Sequence, residues 1–224
     1  MALLNSLSGR EVPQPRGDVL RDARIGRVIT RLLENYRRPA EGGPNLGREH
    51  DPQAYAEYGF SIHPEQGELL YLLCRSLGAR RVVDFATSVG FSTLYLAAAM
   101  RDNGGGTVIG AEIVPQKIAA ARRNLEEAGL AQFVEIRAGD ARTTLRELGA
   151  QVDLALIDGW PRPAGPSLAL EVMAVLAPQM RLGAIAVNDN AESDYLEFMR
   201  RPASGFRSMT LPLKGGTELS VKLA

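Results

Sequence analysis

The sequence predicts an α/β fold: a doubly wound sheet of seven strands, mostly parallel, with helices on both faces, a closing antiparallel hairpin and an amino-terminal helical extension. Three observations predict it. Apolar runs at 81–86, 107–112, 132–137, 153–157 and 182–188 alternate with helical patterns at about 91–101, 115–128, 141–148, 166–177 and 192–200, the order of a parallel sheet with right-handed crossovers. The segments 206–213 and 219–223 flank Lys214-Gly215-Gly216-Thr217 and read as a hairpin. With 224 residues, 45% of them hydrophobic, the chain has the apolar material for one sizeable core.

Taken in order, 1–60 reads as a helical extension or lid and 61–224 as the main, Rossmann-like domain. Ile25, Val28, Ile29, Leu32, Leu33 and Tyr36 share one face of a helix within 18–36. That stripe is covered by the chain's own core, by closure as a lid, or by a second copy in a homodimer. Pro39, Gly42, Gly43, Pro44 and Gly47 make 37–52 a loop. Pro64 then opens a helix with Leu69, Leu70, Leu73 and Leu77 on one side, and Pro115 opens another that Gly129 ends.

Composition narrows the functional classes. Lys+Arg and Asp+Glu are both 26, so no basic surplus points to a nucleic acid or an anionic membrane. Cys74 is the only cysteine, which excludes an internal disulfide and a thiolate zinc site. The first residues lack the charged and apolar regions of a signal peptide, and no run of about 18 apolar residues occurs. A soluble, cytoplasmic protein with a small-molecule partner is expected.

The stretch after the first strand carries the first chemical signal. A pyrophosphate site needs the pattern G-x-G-x-x-G, and here its three positions hold Ala86, Ser88 and Phe91. A ligand without phosphates needs only the close approach that Gly90 permits, and S-adenosylmethionine is such a ligand. The plain alternative is a turn glycine. Glu112 ends the second strand 22 residues after Gly90, where a carboxylate can accept ribose hydroxyls. Asp140 follows the third strand, facing the adenine region. Both acids are also good helix caps. Together with Asp84 they place acidic groups at three successive strand ends, which suits a hydroxyl-rich, cationic cofactor.

The fourth and fifth strands end in Asp158 and in Asp189-Asn190. These oxygens form either a hard ligand set for Mg²⁺ or another divalent cation, or caps on the helices that follow.

These motifs resemble those of the small metal-dependent class I O-methyltransferases, the catechol and caffeoyl-CoA O-methyltransferases and their bacterial relatives. The resemblance runs from His63-Pro64-Glu65-Gln66-Gly67 onward. It includes Val83-Asp84-Phe85-Ala86-Thr87-Ser88-Val89-Gly90-Phe91-Ser92, the ribose acid at Glu112, the D-x-x-x-x-D-x-W pattern from Asp153 to Trp160, and the Asp189-Asn190 pair. It implies metal ligation by Asp158, Asp189 and Asn190. It also implies a cofactor site at Asp84, Ala86, Thr87, Ser88, Gly90, Ser92, Glu112, Ile113, Asp140, Ala141, Asp158 and Trp160.

The implied activity is Mg²⁺-dependent methylation of a hydroxyl on a catechol-like ring or other vicinal diol, with Asp158 acting through the metal. A cofactor-binding module without catalysis, or transfer to RNA or an amine, is the alternative. Two departures stand out. A glycine usual in the first motif is Ala86, and the family's strand-four lysine, the usual base, falls at Pro161. Arg162 stays protonated and is no substitute. The proton acceptor is then water, a metal hydroxide or another residue such as His63 or Tyr195, and His63 also reads as a structural histidine.

Overall fold

The computed structural model describes residues 22–35, 50–159, 162 and 164–224. Its elements in order are α1 (Ala23–Glu34), α2 (Pro64–Leu77), β1 (Arg81–Phe85), α3 (Phe91–Asp102), β2 (Thr107–Glu112), α4 (Pro115–Glu127), β3 (Val134–Ala138), α5 (Ala141–Thr144), β4 (Val152–Ile157), α6 (Leu168–Leu176), β5 (Met180–Asn188), α7 (Ser193–Arg200), β6 (Phe206–Leu211) and β7 (Thr217–Lys222). The seven strands form one sheet in the order β3-β2-β1-β4-β5-β7-β6. β1 pairs in parallel with β2 and β4, and β5 in parallel with β4. β7 runs antiparallel to β5 and β6 antiparallel to β7. The order turns outward in both directions from β1 and β4, so the crevice above their carboxyl ends is where a ligand fits.

Adjacent strand residues feed opposite cores, as the two-residue side-chain period requires. Val82, Leu154 and Leu156 join α1, α2 and α3 on one face. Val83, Ala155 and Ile157 join α6 and α7 on the other. α2 and α3 approach closely at Gly67, where a Cβ would stand 2.6 Å from the Tyr95 ring. Cys74 lies fully buried in the first core, and burial pushes its thiol up to about 12.

The apolar stripe of α1 is covered within the chain. Ile25, Val28 and Ile29 are buried in the same core as α3. Arg31 reaches from α1 to Glu127 and Asn124 of α4, at 2.5 and 3.1 Å. Asp22 caps α1 through the Arg24 amide and meets Arg101 of α3 at 2.8 Å. Of the three covers open to this stripe, the chain's own core takes Ile25, Val28 and Ile29, with Leu32 and Leu33 packed against it; Tyr36 lies outside the described residues. The loop expected at 37–52 lies mostly outside the described residues.

Four element boundaries differ from the sequence reading. The helix expected over 141–148 is the single turn α5, because Thr143 and Thr144 are poor helix formers and Leu145 and Leu148 turn down into the core. A 3-10 turn at Ala131–Phe133 delays β3 to Val134. β5 starts early, at Met180, with a register shift against Val152 and Leu154. β7 starts at Thr217, since Thr217 and Glu218 are polar yet fully buried and so broke the apolar pattern. Among the described residues, no helix is long and apolar enough to cross a membrane.

Candidate active site

The turn from β1 to α3 is held by three backbone bonds and one to a side chain. The Ala86 and Thr87 amides both donate to the Ala111 carbonyl, at 3.0 and 3.2 Å, and the Gly90 amide donates to the Thr87 carbonyl at 2.9 Å. The Ser88 amide donates to Glu112 Oε2 at 2.8 Å. These bonds hold Ala86 at φ 66° and Ser88 at φ 51°, the left-handed region that costs a non-glycine residue on the order of 1 kcal/mol. The Thr87 hydroxyl lies over Gly110, where a Cβ would stand 2.5 Å from it. Gly90 has φ 89° and a Cβ there would stand 3.3 Å from that of Ala121. Its freedom therefore serves the turn and the packing of α4.

Asp84 is fully buried below this turn. It accepts from the Ser92 hydroxyl at 3.0 and 3.1 Å and from the Thr93 hydroxyl at 2.5 Å. Burial raises its carboxyl to about 6, with Glu112 pushing the same way and the two hydroxyls opposing. Its bonds pin the first turn of α3.

Glu112 closes β2. Its Oε1 accepts the amides of Ile113 and Val114, both at 2.8 Å, and its Oε2 accepts that of Ser88. A carboxylate has about four acceptor positions, so one remains. The Ser88 hydroxyl beside it is buried with no hydrogen-bond partner among the described residues, the kind of orphan that a ligand satisfies. Ile113 is 53% exposed. Lys117 of α4 is buried with its ammonium 5.3 Å from the centre of the Phe60 ring. Burial lowers its pKa, against the pull of Glu112 and Asp158.

Asp140 takes the cap role. It accepts the Arg142 amide at 2.9 Å at the start of α5, and the Arg142 guanidinium meets both carboxylate oxygens, the shortest contact being 2.6 Å. Those Arg142 bonds hold Asp140 below its ordinary range. Arg142 continues to Glu171 at 2.9 Å, and Arg162 joins the same carboxylate at 2.8 Å. Ala141 is buried beside Asp140.

The ends of β4 and β5 do come together. The Asp189 amide donates to the Ile157 carbonyl at 3.0 Å. The Asn190 amide group reaches Asp158 Oδ1 at 3.2 Å, and the Asp189 carboxylate lies close enough to act on Asp158. Burial, then the Asp189 carboxylate, push Asp158 well above the usual carboxylate range.

Two further residues enter this cluster from remote elements. Gln66, buried at the start of α2, donates to Asp189 Oδ1 at 2.6 Å and to the Thr217 hydroxyl at 2.8 Å. Its carbonyl oxygen accepts the His63 amide at 2.7 Å, which fixes which way the amide points. Lys214, from the β6–β7 turn, sets its ammonium on Asp189 Oδ2. Both Asp189 oxygens thus already carry a donor, and one is a cation. Among the described residues, no three His, Cys, Asp or Glu side chains are grouped to hold a metal ion. As arranged, this donor set does not fit a resident divalent ion.

The remaining predicted positions are quickly placed. Trp160 and Pro161 lie outside the described residues. Arg162 is engaged by Glu171 and the Pro166 carbonyl. His63 precedes α2 as its cap residue. Tyr195 is fully buried in the core beneath α6 and α7, and burial raises its phenol further. It is therefore no base for a substrate at the strand ends. Its place on the inner face of an amphipathic helix explains the misreading.

The sheet order and the strand-end crevice are those of a Rossmann-like fold, and residues 85–191 match the model of a methyltransferase domain family. Within that class the similarity is to O-methyltransferases. The chain is 39% identical over 99 residues to a catechol O-methyltransferase of Mycobacterium tuberculosis, a span of 44% of either chain. It is 36% identical over 111 residues to a catechol O-methyltransferase of Niastella koreensis, covering 46% of this chain and 49% of that protein. The matched stretch thus spans about half the length of these curated relatives. An O-methyltransferase from Bacillus cereus, solved in complex with SAH, superposes with a TM-score of 0.64 at 22% identity, over 99% of this chain and 97% of that one.

Proposed function

We propose that the chain is an S-adenosylmethionine-dependent O-methyltransferase acting on a hydroxyl of a small acceptor, with catechol-like rings and other vicinal diols the first class to try. The observation that carries this reading is the cradle at the ends of β1 and β2. One acceptor position of Glu112 and the unpartnered Ser88 hydroxyl suit the hydroxyls of a nucleoside, and exposed Ile113 offers apolar surface to its base.

S-adenosylmethionine, when bound, supplies a methyl group on a positively charged sulfur. The protein's part is to align the acceptor oxygen with that carbon and to take the proton from the oxygen. Alignment alone is worth about 7 to 11 kcal/mol in favourable systems. The proton goes to the Asp158–Asp189 pair, because position 161 is proline and because burial and mutual repulsion make Asp158 a stronger base than an ordinary carboxylate. The family resemblance implies Mg²⁺ or another divalent ion on Asp158, Asp189 and Asn190. Since Gln66 and Lys214 already engage Asp189, no step is routed through a metal.

The similarity to relatives named catechol O-methyltransferase supports the acceptor class. The test is calorimetric titration with S-adenosylhomocysteine, followed by transfer of labelled methyl from S-adenosylmethionine to a panel of aromatic alcohols. Saturable binding and a labelled ether support the proposal. A chain that binds neither nucleoside refutes it.

A further inference from the structure

We infer that Lys214 is the resident cation of the Asp158–Asp189 site, standing where the resemblance implies a divalent metal, and that the site therefore works without one. The hairpin loop delivers it. Lys214 has φ 49°, a left-handed conformation that a lysine rarely adopts. The turn is tied by the Gly216 amide, which donates to the Leu213 carbonyl at 2.8 Å, and by the Thr217 hydroxyl, which donates to the same carbonyl at 3.2 Å. The lysine side chain is 19% exposed and the Asp189 side chain 0%, so this pair is largely removed from solvent screening.

The occupancy of Asp189 decides the matter. The Lys214 ammonium lies on its Oδ2 and the Gln66 amide on its Oδ1. A divalent ion would bring two further positive charges into contact with that ammonium, and it would have to displace both Lys214 and the Gln66 amide from Asp189. The Asn190 side chain adds only a neutral ligand.

The replacement also changes which acceptors can be held, a consequence that rests on the methyltransferase reading above. A divalent ion grips two neighbouring oxygens as a chelate, which is why a vicinal diol is the substrate such an ion selects. An ammonium has hydrogen-bond donors and no coordination sphere, so it orients one oxygen. A single acidic hydroxyl then suffices, and a second hydroxyl beside it gains nothing from the cation.

The experiment titrates the full-length chain with Mn²⁺ and follows free ion by electron paramagnetic resonance, in the wild type and in Lys214→Ala and Lys214→Arg. Wild type and Lys214→Arg are expected to leave Mn²⁺ free. Lys214→Ala is expected to bind it with at least tenfold higher affinity, since Asp189 Oδ2 is then uncovered and no ammonium repels the ion. Stoichiometric Mn²⁺ binding by the wild type overturns the inference, and so does a folded Lys214→Ala that binds no better. If Lys214→Ala does not fold, the wild-type and Lys214→Arg titrations decide alone.

With methyl transfer as readout, a monohydroxy phenol should be turned over in EDTA at a rate within about threefold of its rate in Mg²⁺. Turnover confined to diols in added metal overturns the inference. Failure to bind S-adenosylhomocysteine would instead remove the methyltransferase reading, and it leaves the Mn²⁺ result standing because that titration uses no nucleoside.

Discussion

Gln66 and Asp189 lie 123 positions apart in the chain, yet the Gln66 amide donates to the Asp189 carboxylate at 2.6 Å, fully buried. The same side chain also serves the His63 amide and the Thr217 hydroxyl. One residue of α2 therefore links the start of its own helix, the end of β5 and the start of β7.

Gln66→Leu removes one hydrogen bond from each of three partners without adding bulk. Each buried group left unsatisfied costs roughly 1–3 kcal/mol, so urea denaturation should show a loss of about 2–5 kcal/mol. A loss below about 0.5 kcal/mol, the range of an ordinary surface change, would mean that the network contributes little.

Gly110→Ala drives a methyl group to 2.5 Å from the Thr87 hydroxyl and so shifts the turn after β1. Affinity for S-adenosylhomocysteine should fall at least tenfold by calorimetry, with a stability loss of about 1–3 kcal/mol. Adding Thr87→Ala removes the clashing oxygen and should restore most of the affinity. A double variant no better than Gly110→Ala would place the defect elsewhere.

Glu112→Gln and Asp158→Asn should separate binding from chemistry. Glu112 accepts three backbone amides, and an amide side chain must turn a donor toward at least one of them. Nucleoside affinity should drop roughly 10- to 100-fold, the value of a bond or two to a charged group. Asp158→Asn should leave that affinity within about threefold and lower turnover about 10²- to 10⁴-fold, the range for losing a general base. Equal effects of both variants on affinity and turnover would contradict the separation.

Asp84 predicts a pH dependence with an unusual sign. Its carboxyl is raised from 3.8 to about 6 in the folded chain, first by burial. Between those values the native state holds more protons than the unfolded state, so this group's contribution to stability falls as pH rises and is level above about 6. Asp22, Asp102 and Asp153, all lowered in the fold, act in the opposite direction. The check is therefore the difference between wild type and Asp84→Asn in chemical denaturation from pH 4 to 7. A difference that grows in favour of wild type with rising pH would refute it.

The strand-end acids Glu112, Asp158 and Asp189 were legible in the sequence because a parallel strand has a short apolar run, and the residue that ends it is visible. Gln66 and Lys214 were not legible. Each is a polar residue in a helix start or a turn, and only the pairing of β7 with β5 and the packing of α2 carry them to Asp189. Asp140 suited either a ligand or a cap, and Arg142, two residues on, settles its bonds toward the cap. The same limit applies to α1, whose stripe was clear but whose cover was a matter of tertiary packing.

The antiparallel hairpin has a consequence for how the chain emerges from the ribosome. β5 is synthesised before β6 and β7, yet it is β7 that covers its outer edge. Until residues 206–222 have cleared the exit tunnel, the nascent chain carries a bare strand followed by an Asp189 that lacks Lys214, an edge open to pairing with a neighbouring nascent chain.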